Sequence, residues 1–272
     1  MKNSTKKILR FITRQLNGFL PCASALKNVF RSFNFIKAPF VFFSDCIKYM
    51  KLSKNESMFK FKISNLYPIL YDRYEKAGNM PLHYFFQDLW AAKKVYKSGI
   101  KNHYDIGSRL DGFIAHCLSF CEVTMLDIRP LNTKIDNLAF LEADCTNMLN
   151  IRTNSIDSLS SLHAVEHFGL GRYGDMVNPN GYKKAIQEMQ RITKAGGDIY
   201  FSVPIGKQRV EFNAHRIFNP KYIVSLFDQC RLFDFSAISD NNEYIENANI
   251  QDFLNNDYSC GLFHFKKNIN EQ

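Results

Sequence analysis

A short strand, a glycine-containing loop, a helix and a second strand ending in an acid follow one another within residues 102–129. Gly107 comes directly after the first strand, and Asp127 ends the second strand twenty positions later. In α/β proteins this order is typical of nucleoside binding, because loop N–H groups and a helix N-terminus face the ligand while the acid binds ribose hydroxyls. The segment therefore predicts a nucleoside site at one edge of a sheet.

Strand and helix patterns alternate regularly from residue 63 onward. Apolar residues at helical spacing predict helices over residues 84–97, 110–118, 181–193 and about 220–229. Short apolar runs bounded by turn residues predict strands over residues 103–106, 123–127, 138–142, 156–162, 198–203, 232–238 and 260–265. This alternation predicts an α/β fold with a Rossmann-like, mostly parallel sheet flanked by helices.

Length and composition fit one such domain with an appendage. The chain has 272 residues, of which 46% are hydrophobic, so it can bury a substantial core. Its seven cysteines are odd in number, scattered and without a C-x-x-C pair. This usage favours reduced thiols and predicts a cytoplasmic protein.

The net charge of +9 belongs to the N-terminal part of the chain. Residues 1–62 hold 13 Lys and Arg but only two acids, whereas the remainder has 22 basic and 24 acidic residues. Within this arm, Ile8, Ile12, Leu16 and Leu20 fall on one helical face. We therefore predict a basic helical extension over residues 1–62 and an α/β domain over residues 63–272.

Such an arm can lie on an anionic membrane surface, which predicts peripheral association with the inner membrane face. The apolar segment 33–43 is too short to span a bilayer. The alternative is that both apolar segments pack on the domain as an extra helical layer. Nucleic acid is a weaker expectation, because the basic residues alternate with bulky aliphatic residues. No signal peptide is predicted, since the start lacks a compact apolar run with a cleavage site.

The glycine loop distinguishes between classes of nucleotide site. A dinucleotide fold requires G-x-G-x-x-G, whereas Gly107 and Gly112 form G-x-x-x-x-G. A P-loop requires Lys and then Ser or Thr after the second glycine, where this chain has Phe113 and Ile114. The remaining class is a nucleoside without a pyrophosphate, and Asp105 ahead of the loop suits a positively charged ligand.

The strings D-I-G-S, L-D-I-R, E-A-D-C-T, S-L-H-A-V-E-H-F and G-G-D-I-Y-F-S-V-P follow in this order. The series resembles class I S-adenosylmethionine-dependent methyltransferases over about residues 100–265. The loop departs from the usual D-x-G-x-G-x-G by one extra residue before its last glycine. The resemblance implies S-adenosylmethionine as cofactor, with Asp105 near the methionine part, Asp127 on the ribose and Asp144 at the adenine amine. The full set implied to bind cofactor is Asp105, Gly107, Ser108, Arg109, Gly112, Asp127, Ile128, Asp144, Cys145 and Leu162.

Longer strings, including H-Y-D-I-G-S-R-L-D-G-F and E-H-F-G-L-G-R-Y-G-D, are similar to a narrower family, domain of unknown function 268. Members of that family look like methyltransferases, and an association with surface-glycan assembly is a loose implication. We therefore expect a small-molecule or glycan acceptor, with O-methylation of a sugar or glycan intermediate. A noncatalytic methyltransferase-like binding module is the first alternative.

Titratable residues concentrate after the fourth strand, where side chains face the ligand crevice. The predicted catalytic residues are His167 as general base, His163 as second choice, and Glu166. The predicted acceptor-binding residues are Arg172, Tyr173, Asp175, His215 and Arg216; each of these, taken singly, has a structural role as its alternative.

The same stretch contains H-x-x-E-H, the signature of inverted zinc proteases. Two zinc-binding histidines at this spacing need a stable helix, yet Gly169 and Gly171 follow at once. A zinc hydrolase is therefore the second alternative, and no metal site is predicted.

Overall fold

The computed structural model describes residues 34–54, 59, 63–70, 73 and 82–269. They fall into two compact units, one before residue 80 and one from residue 80 onward. The predicted amphipathic helix at residues 8–20 lies outside the described residues. The division after residue 62 was drawn from charge and stays a prediction, and the division between compact units comes later in the chain.

Helix α1 of the first unit spans Asn34–Leu52, and a 3-10 turn follows at Ile63–Asn65. Pro39 lies inside α1 without ending it, so most of the apolar segment 33–43 is helical. In the part of the chain that the structure describes, no helix is both long and apolar enough to cross a membrane.

Within residues 82–269 the main sheet has eight strands in the order β3-β2-β1-β4-β5-β10-β8-β9. The first five strands are parallel, and β10 lies antiparallel between β5 and β8. A separate hairpin joins β6 to β7. The strands are β1 (Asn102–Ile106), β2 (Glu122–Asp127), β3 (Leu138–Glu142), β4 (Ile156–Leu162), β5 (Thr193–Ile205), β6 (Arg209–Glu211), β7 (His215–Ile217), β8 (Cys230–Ile238), β9 (Tyr244–Ile245) and β10 (Ser259–Lys267). The predicted α/β, mostly parallel sheet is confirmed.

Helices cover both faces of this sheet. They are α2 (Leu82–Ser98), α3 (Ala115–Cys117), α4 (Gly181–Ile192) and α5 (Pro220–Leu226). On one face α4 and α5 bury Ile186, Met189 and Ile223 in a core that includes Phe201. On the other face α2 buries Trp90 and Val95 with Phe113 and Tyr200. Burial of these apolar surfaces is the main force that holds the helices on the sheet.

The prediction of a regular α-helix over residues 110–118 is wrong. Leu110–Ile114 make a π-helical turn, and only Ala115–Cys117 continue as regular helix. Gly112 has non-helical angles, φ −127° and ψ −105°. A Cβ at Gly112 would lie 2.0 Å from the Oδ2 atom of Asp88, so a larger residue there would displace the Asp88 side chain.

The strand order fixes where a ligand can bind. The chain builds outward from β1 through β2 to β3 and then returns to place β4 on the other side of β1. At such a switch point the loops after β1 and β4 diverge and leave a crevice at the carboxyl ends of the strands.

Candidate functional site

A cavity of about 300 Å³ lies at this end of the sheet. Twelve predicted site residues line it: Gly107, Arg109, Asp127, Ile128, Asp144, Cys145, Leu162, His163, His167, Arg172, Tyr173 and Asp175. Six others lie outside its lining: Asp105, Ser108, Gly112, Glu166, His215 and Arg216. The volume is at the lower end of the range of small-molecule sites.

The loop after β1 turns sharply at Gly107. This residue has φ +71°, and a Cβ there would lie 3.0 Å from the Cβ of Ala164 after β4. Its N–H donates to the carbonyl of Leu126 at 2.9 Å. Glycine therefore satisfies both the left-handed backbone and the close packing of the two loops.

Asp105 lies behind this loop and is completely buried. Its carboxyl accepts hydrogen bonds from the N–H of Ser108 at 2.9 Å, from the Ser108 hydroxyl at 2.7 Å and from the Ser160 hydroxyl. Burial raises its pKa to about 6, and these hydrogen bonds oppose the rise. Asp105 thus holds the loop in shape, and a direct cofactor contact stays a prediction.

Asp127 ends β2 at the cavity wall and is bound by Arg129. Its Oδ1 atom accepts from the backbone N–H and the Nε of Arg129, both at 2.9 Å. Its Oδ2 atom accepts from Nη2 at 2.6 Å. A carboxylate has about four acceptor positions, so roughly one remains, on Oδ2.

Asp144 follows β3 and also lines the cavity. Its Oδ1 atom accepts from the N–H of Thr146 at 2.8 Å, which makes a local turn. Cys145 is buried next to it, and burial raises the pKa of its thiol. The thiol is therefore a neutral wall residue.

Helix α2 closes the cavity from the side of the first loop. Tyr84 and Gln87, in the P-L-H-Y-F-F-Q-D segment just before the motif core, line the cavity together with Asp88. The Asp88 carboxyl accepts from Gln87 Nε2 at 3.0 Å and from the N–H of Phe113. Burial raises its pKa.

The loop after β4 begins at His163, whose φ is +51°. Its imidazole is buried and lies 5.3 Å from the Tyr84 ring, centroid to centroid. Burial lowers its pKa well below the ordinary value. His163 is therefore neutral at neutral pH.

His167 lines the same cavity from the 3-10 turn Val165–His167. Its Nδ1 lies 2.7 Å from the carbonyl oxygen of Ala214, which can only accept, so Nδ1 carries the proton and Nε2 has the free lone pair. Burial lowers its pKa to about 4.

Glu166 is almost completely buried, and its Oε1 atom lies 3.7 Å from Nε2 of His167. Burial raises the pKa of Glu166 to about 8. Both side chains of this pair are therefore neutral at neutral pH. Glu166 does not line the cavity.

The glycine-rich part of this loop is shaped by Asp175. Its Oδ2 atom accepts from the N–H of Gly169 at 2.7 Å and from that of Gly171 at 3.3 Å. Arg172 donates to the Ala214 carbonyl at 2.8 Å. The Tyr173 ring contacts two guanidinium groups, with its centroid 4.6 Å from Arg129 and 5.1 Å from Arg172.

His215 and Arg216, on β7, are directed elsewhere. Arg216 donates to the carbonyls of Phe168 at 2.7 Å and Glu166 at 3.3 Å, so it fastens the loop to the hairpin. His215 lies 3.2 Å from the Glu211 carboxylate. An acceptor-binding role for either residue stays a prediction.

The zinc-protease geometry is not formed by H-x-x-E-H. His163 precedes the 3-10 turn with a left-handed backbone, so the two histidines do not occupy one α-helical face. Among the described residues, no group of three or more His, Cys, Asp or Glu is placed to hold a metal ion.

Sequence reasoning missed Arg129 and Asp88 as cavity residues. Arg129 stands two positions after Asp127, and the L-D-I-R string gave no sign that its guanidinium turns back onto the carboxylate. Asp88 is 24 positions before Gly112, so only the packing of α2 on the loop reveals their contact. Met176 and Asn178 were also missed, in the irregular segment before α4.

Two solved structures share this architecture. The [4+2]-cyclase SpnF is 12% identical with a TM-score of 0.51, and the match covers 68% of this chain and 81% of SpnF. A 1,6-didemethyltoxoflavin-N1-methyltransferase from Burkholderia thailandensis, with bound 1,6-didemethyltoxoflavin and S-adenosylhomocysteine, is 11% identical with a TM-score of 0.51. That match covers 88% of this chain and 92% of the enzyme. The predicted class I methyltransferase fold is confirmed, although the two reactions named differ.

No curated protein matches the sequence. A family model described as "Caenorhabditis protein of unknown function, DUF268" matches residues 117–259. The matched segment is more than half of the chain and includes the end of β2, Asp144 and the whole loop after β4. The protein belongs to the DUF268 family.

Proposed function

We propose that this protein is an S-adenosylmethionine-dependent methyltransferase that O-methylates a sugar or glycan intermediate. The observation that carries the proposal is the cavity at the switch point, which is lined by Gly107, Asp127 and Asp144 from three successive strand ends. A left-handed glycine and two carboxylates suit a nucleoside without phosphates.

These lining residues fit the parts of the cofactor. The free acceptor position on Asp127 Oδ2 would accept a hydrogen bond from a ribose hydroxyl. The Asp144 carboxylate would accept one from the adenine amine. Asp88 places a carboxyl beside the first loop, where an anionic phosphate is disfavoured and a sulfonium cation is favoured. Bound S-adenosylmethionine supplies an activated methyl group, so the protein contributes mainly alignment and exclusion of water.

On the acceptor side, Nε2 of His167 takes the proton of the attacking hydroxyl. When bound, S-adenosylmethionine would supply the methyl group for the new carbon–oxygen bond, and the carbon–sulfur bond would break to give S-adenosylhomocysteine. Arg172 and the Tyr173 ring offer donors and an apolar platform, which suits a polyhydroxyl or anionic acceptor. The glycan class rests on the family resemblance and on these groups.

A noncatalytic binding module is the second candidate, and the low pKa of His167 favours it, since a base of pKa about 4 accepts a proton weakly. Titration calorimetry with S-adenosylhomocysteine, followed by turnover against a panel of glycans, separates the two. Binding with turnover supports the enzyme, whereas binding without turnover on any acceptor supports the module. Absence of binding contradicts both.

The assignment of the site is tested by Asp127→Ala. We expect its S-adenosylhomocysteine affinity to fall by about tenfold or more, because a hydrogen bond to a charged group contributes roughly 1.5–3 kcal/mol. Asp136→Ala, at an exposed turn away from the cavity, is the matched control and should bind normally. Unchanged affinity in a folded Asp127→Ala protein would refute the cofactor site.

A further inference from the structure

Helix α1 carries an apolar stripe on its exposed side. Phe40, Phe43, Ile47 and Met50 are spaced by three or four residues and therefore lie on one helical face. Their exposed fractions run from 45% for Met50 to 74% for Phe40. Four large apolar side chains exposed in one line are unusual for a surface that faces only water.

The opposite side of α1 already has packing partners within its own unit. Ala38, Val41 and Phe42 line a cavity of about 450 Å³ together with Leu66 and Leu70. Among the described residues of this unit, the exposed stripe therefore lies on the other side of α1 from this cavity.

Lysines flank the stripe along one edge. Lys48 and Lys51 each follow a stripe residue by one position, and Lys37 lies three positions before Phe40. All three are exposed. Asp45 is the sole acid in the α1 sequence, and it forms an ion pair with Arg73 on the cavity side. The exposed face thus combines apolar and positive groups.

We propose that α1 lies in the surface of an anionic lipid bilayer. The stripe enters the boundary between headgroups and acyl chains, and the lysine stems extend so that their ammonium groups meet lipid phosphates. A second copy of α1 fits less well, because stripe-to-stripe packing would bring lysines together without compensating acids.

The test is co-sedimentation of the full chain with vesicles of phosphatidylcholine alone or with added phosphatidylglycerol. We expect binding to the anionic vesicles, weakened by salt because salt screens the lysines. The double variant Phe40→Asp/Ile47→Asp should bind about tenfold or more weakly, since two apolar side chains no longer enter the bilayer. Leu149→Asp, at an equally exposed apolar residue of the second unit, should bind like the unmodified chain.

The triple variant Lys37→Gln/Lys48→Gln/Lys51→Gln should bind anionic vesicles more weakly and with a smaller effect of salt, while its circular dichroism spectrum is unchanged. The proposal is overturned if the full chain stays in the supernatant or if the Phe40→Asp/Ile47→Asp variant binds normally. It is also overturned if light scattering shows a dimer that this variant dissociates while vesicle binding is absent, which would assign the stripe to a second copy. None of these results depends on methyl transfer.

Discussion

Arg129 encloses the carboxylate of Asp127 with three hydrogen bonds, one from its backbone N–H and two from its guanidinium. The same guanidinium lies over the Tyr173 ring, 4.6 Å from the centroid. The residue assigned to the cofactor ribose and an aromatic residue assigned to the acceptor side are therefore joined through one arginine. Its side chain is about half exposed, so it has room to move toward solvent.

From this contact we expect Arg129→Ala to bind S-adenosylhomocysteine more tightly, by up to about tenfold. Removal of the guanidinium frees acceptor positions on both oxygens of Asp127 for the two ribose hydroxyls. Calorimetry on Arg129→Ala and Arg129→Lys measures the effect, with the lysine variant expected in between. A weaker affinity in Arg129→Ala would instead mean that the arginine itself contacts the ligand.

His167 provides the test of catalysis. His167→Ala should lower turnover by about 10²–10⁴ and leave S-adenosylhomocysteine affinity nearly unchanged, because a general base acts on the acceptor. In the unmodified enzyme the base must be unprotonated, so kcat/KM should fall as the pH drops through about 4 and should not depend on this group near neutrality. His163→Ala, at a second cavity histidine, should lower turnover less. Normal turnover in His167→Ala would move the assignment away from this residue.

Seven strands of the main sheet could be predicted from the sequence because each contains a short apolar run, whereas the two-residue β9 was not predicted and β5 begins earlier than predicted, at Thr193. Asp127 ends β2 as predicted, and β4 spans Ile156–Leu162 as predicted. The short hairpin β6–β7 was not predicted, because V-E-F-N-A-H-R was interpreted only as a source of acceptor-binding residues although its apolar and polar residues alternate.

The details of the site depended on contacts that periodicity does not encode. The apolar spacing of residues 110–118 predicts a regular helix, but Gly112 leaves the helical region where Asp88 approaches it. Likewise Asp105 and Arg216 carry the charges expected of ligand-binding residues, yet buried backbone and hydroxyl groups take up their hydrogen bonds. Tertiary packing decides such cases.

Asp88 should distinguish the charged cofactor from its neutral product. If its carboxyl faces the sulfonium, Asp88→Asn should weaken the binding of S-adenosylmethionine several-fold more than the binding of S-adenosylhomocysteine. The reason is that only S-adenosylmethionine carries the positive charge on sulfur. The asparagine side chain has the same shape as that of aspartate, and its oxygen can still accept a hydrogen bond from the N–H of Phe113. Asp144→Asn is the control and should weaken both ligands equally. An equal loss for both ligands in Asp88→Asn would place the sulfonium elsewhere.

A buried ionic cluster far from the cavity predicts the pH dependence of folding. His264 lies between Asp198, at 2.6 Å, and Asp234, at 3.1 Å. Lys266 forms an ion pair with Asp198, and Lys94 forms one with Asp234. The Tyr200 and Phe233 rings pack on the imidazole.

Burial alone would lower the pKa of His264, but the two aspartates outweigh burial and raise the pKa. Burial would raise the pKa of each aspartate, but hydrogen bonds from His264 and the lysines lower it.

The directions of these pKa shifts define the pH range in which the cluster stabilises the fold. A raised histidine pKa stabilises the fold below the ordinary value of 6.5, and this contribution is lost as the pH rises through the folded pKa. Lowered aspartate pKa values stabilise the fold above the ordinary value of 3.8, and this contribution is lost as the pH falls. We therefore expect the cluster to contribute most between pH 3.8 and 6.5. His264→Gln should lower the free energy of unfolding by about 2 kcal/mol at pH 6 and by less at pH 9. Urea unfolding at both pH values, with the exposed His116→Gln as control, measures this difference, and an equal loss at both would show that the charge of His264 contributes nothing.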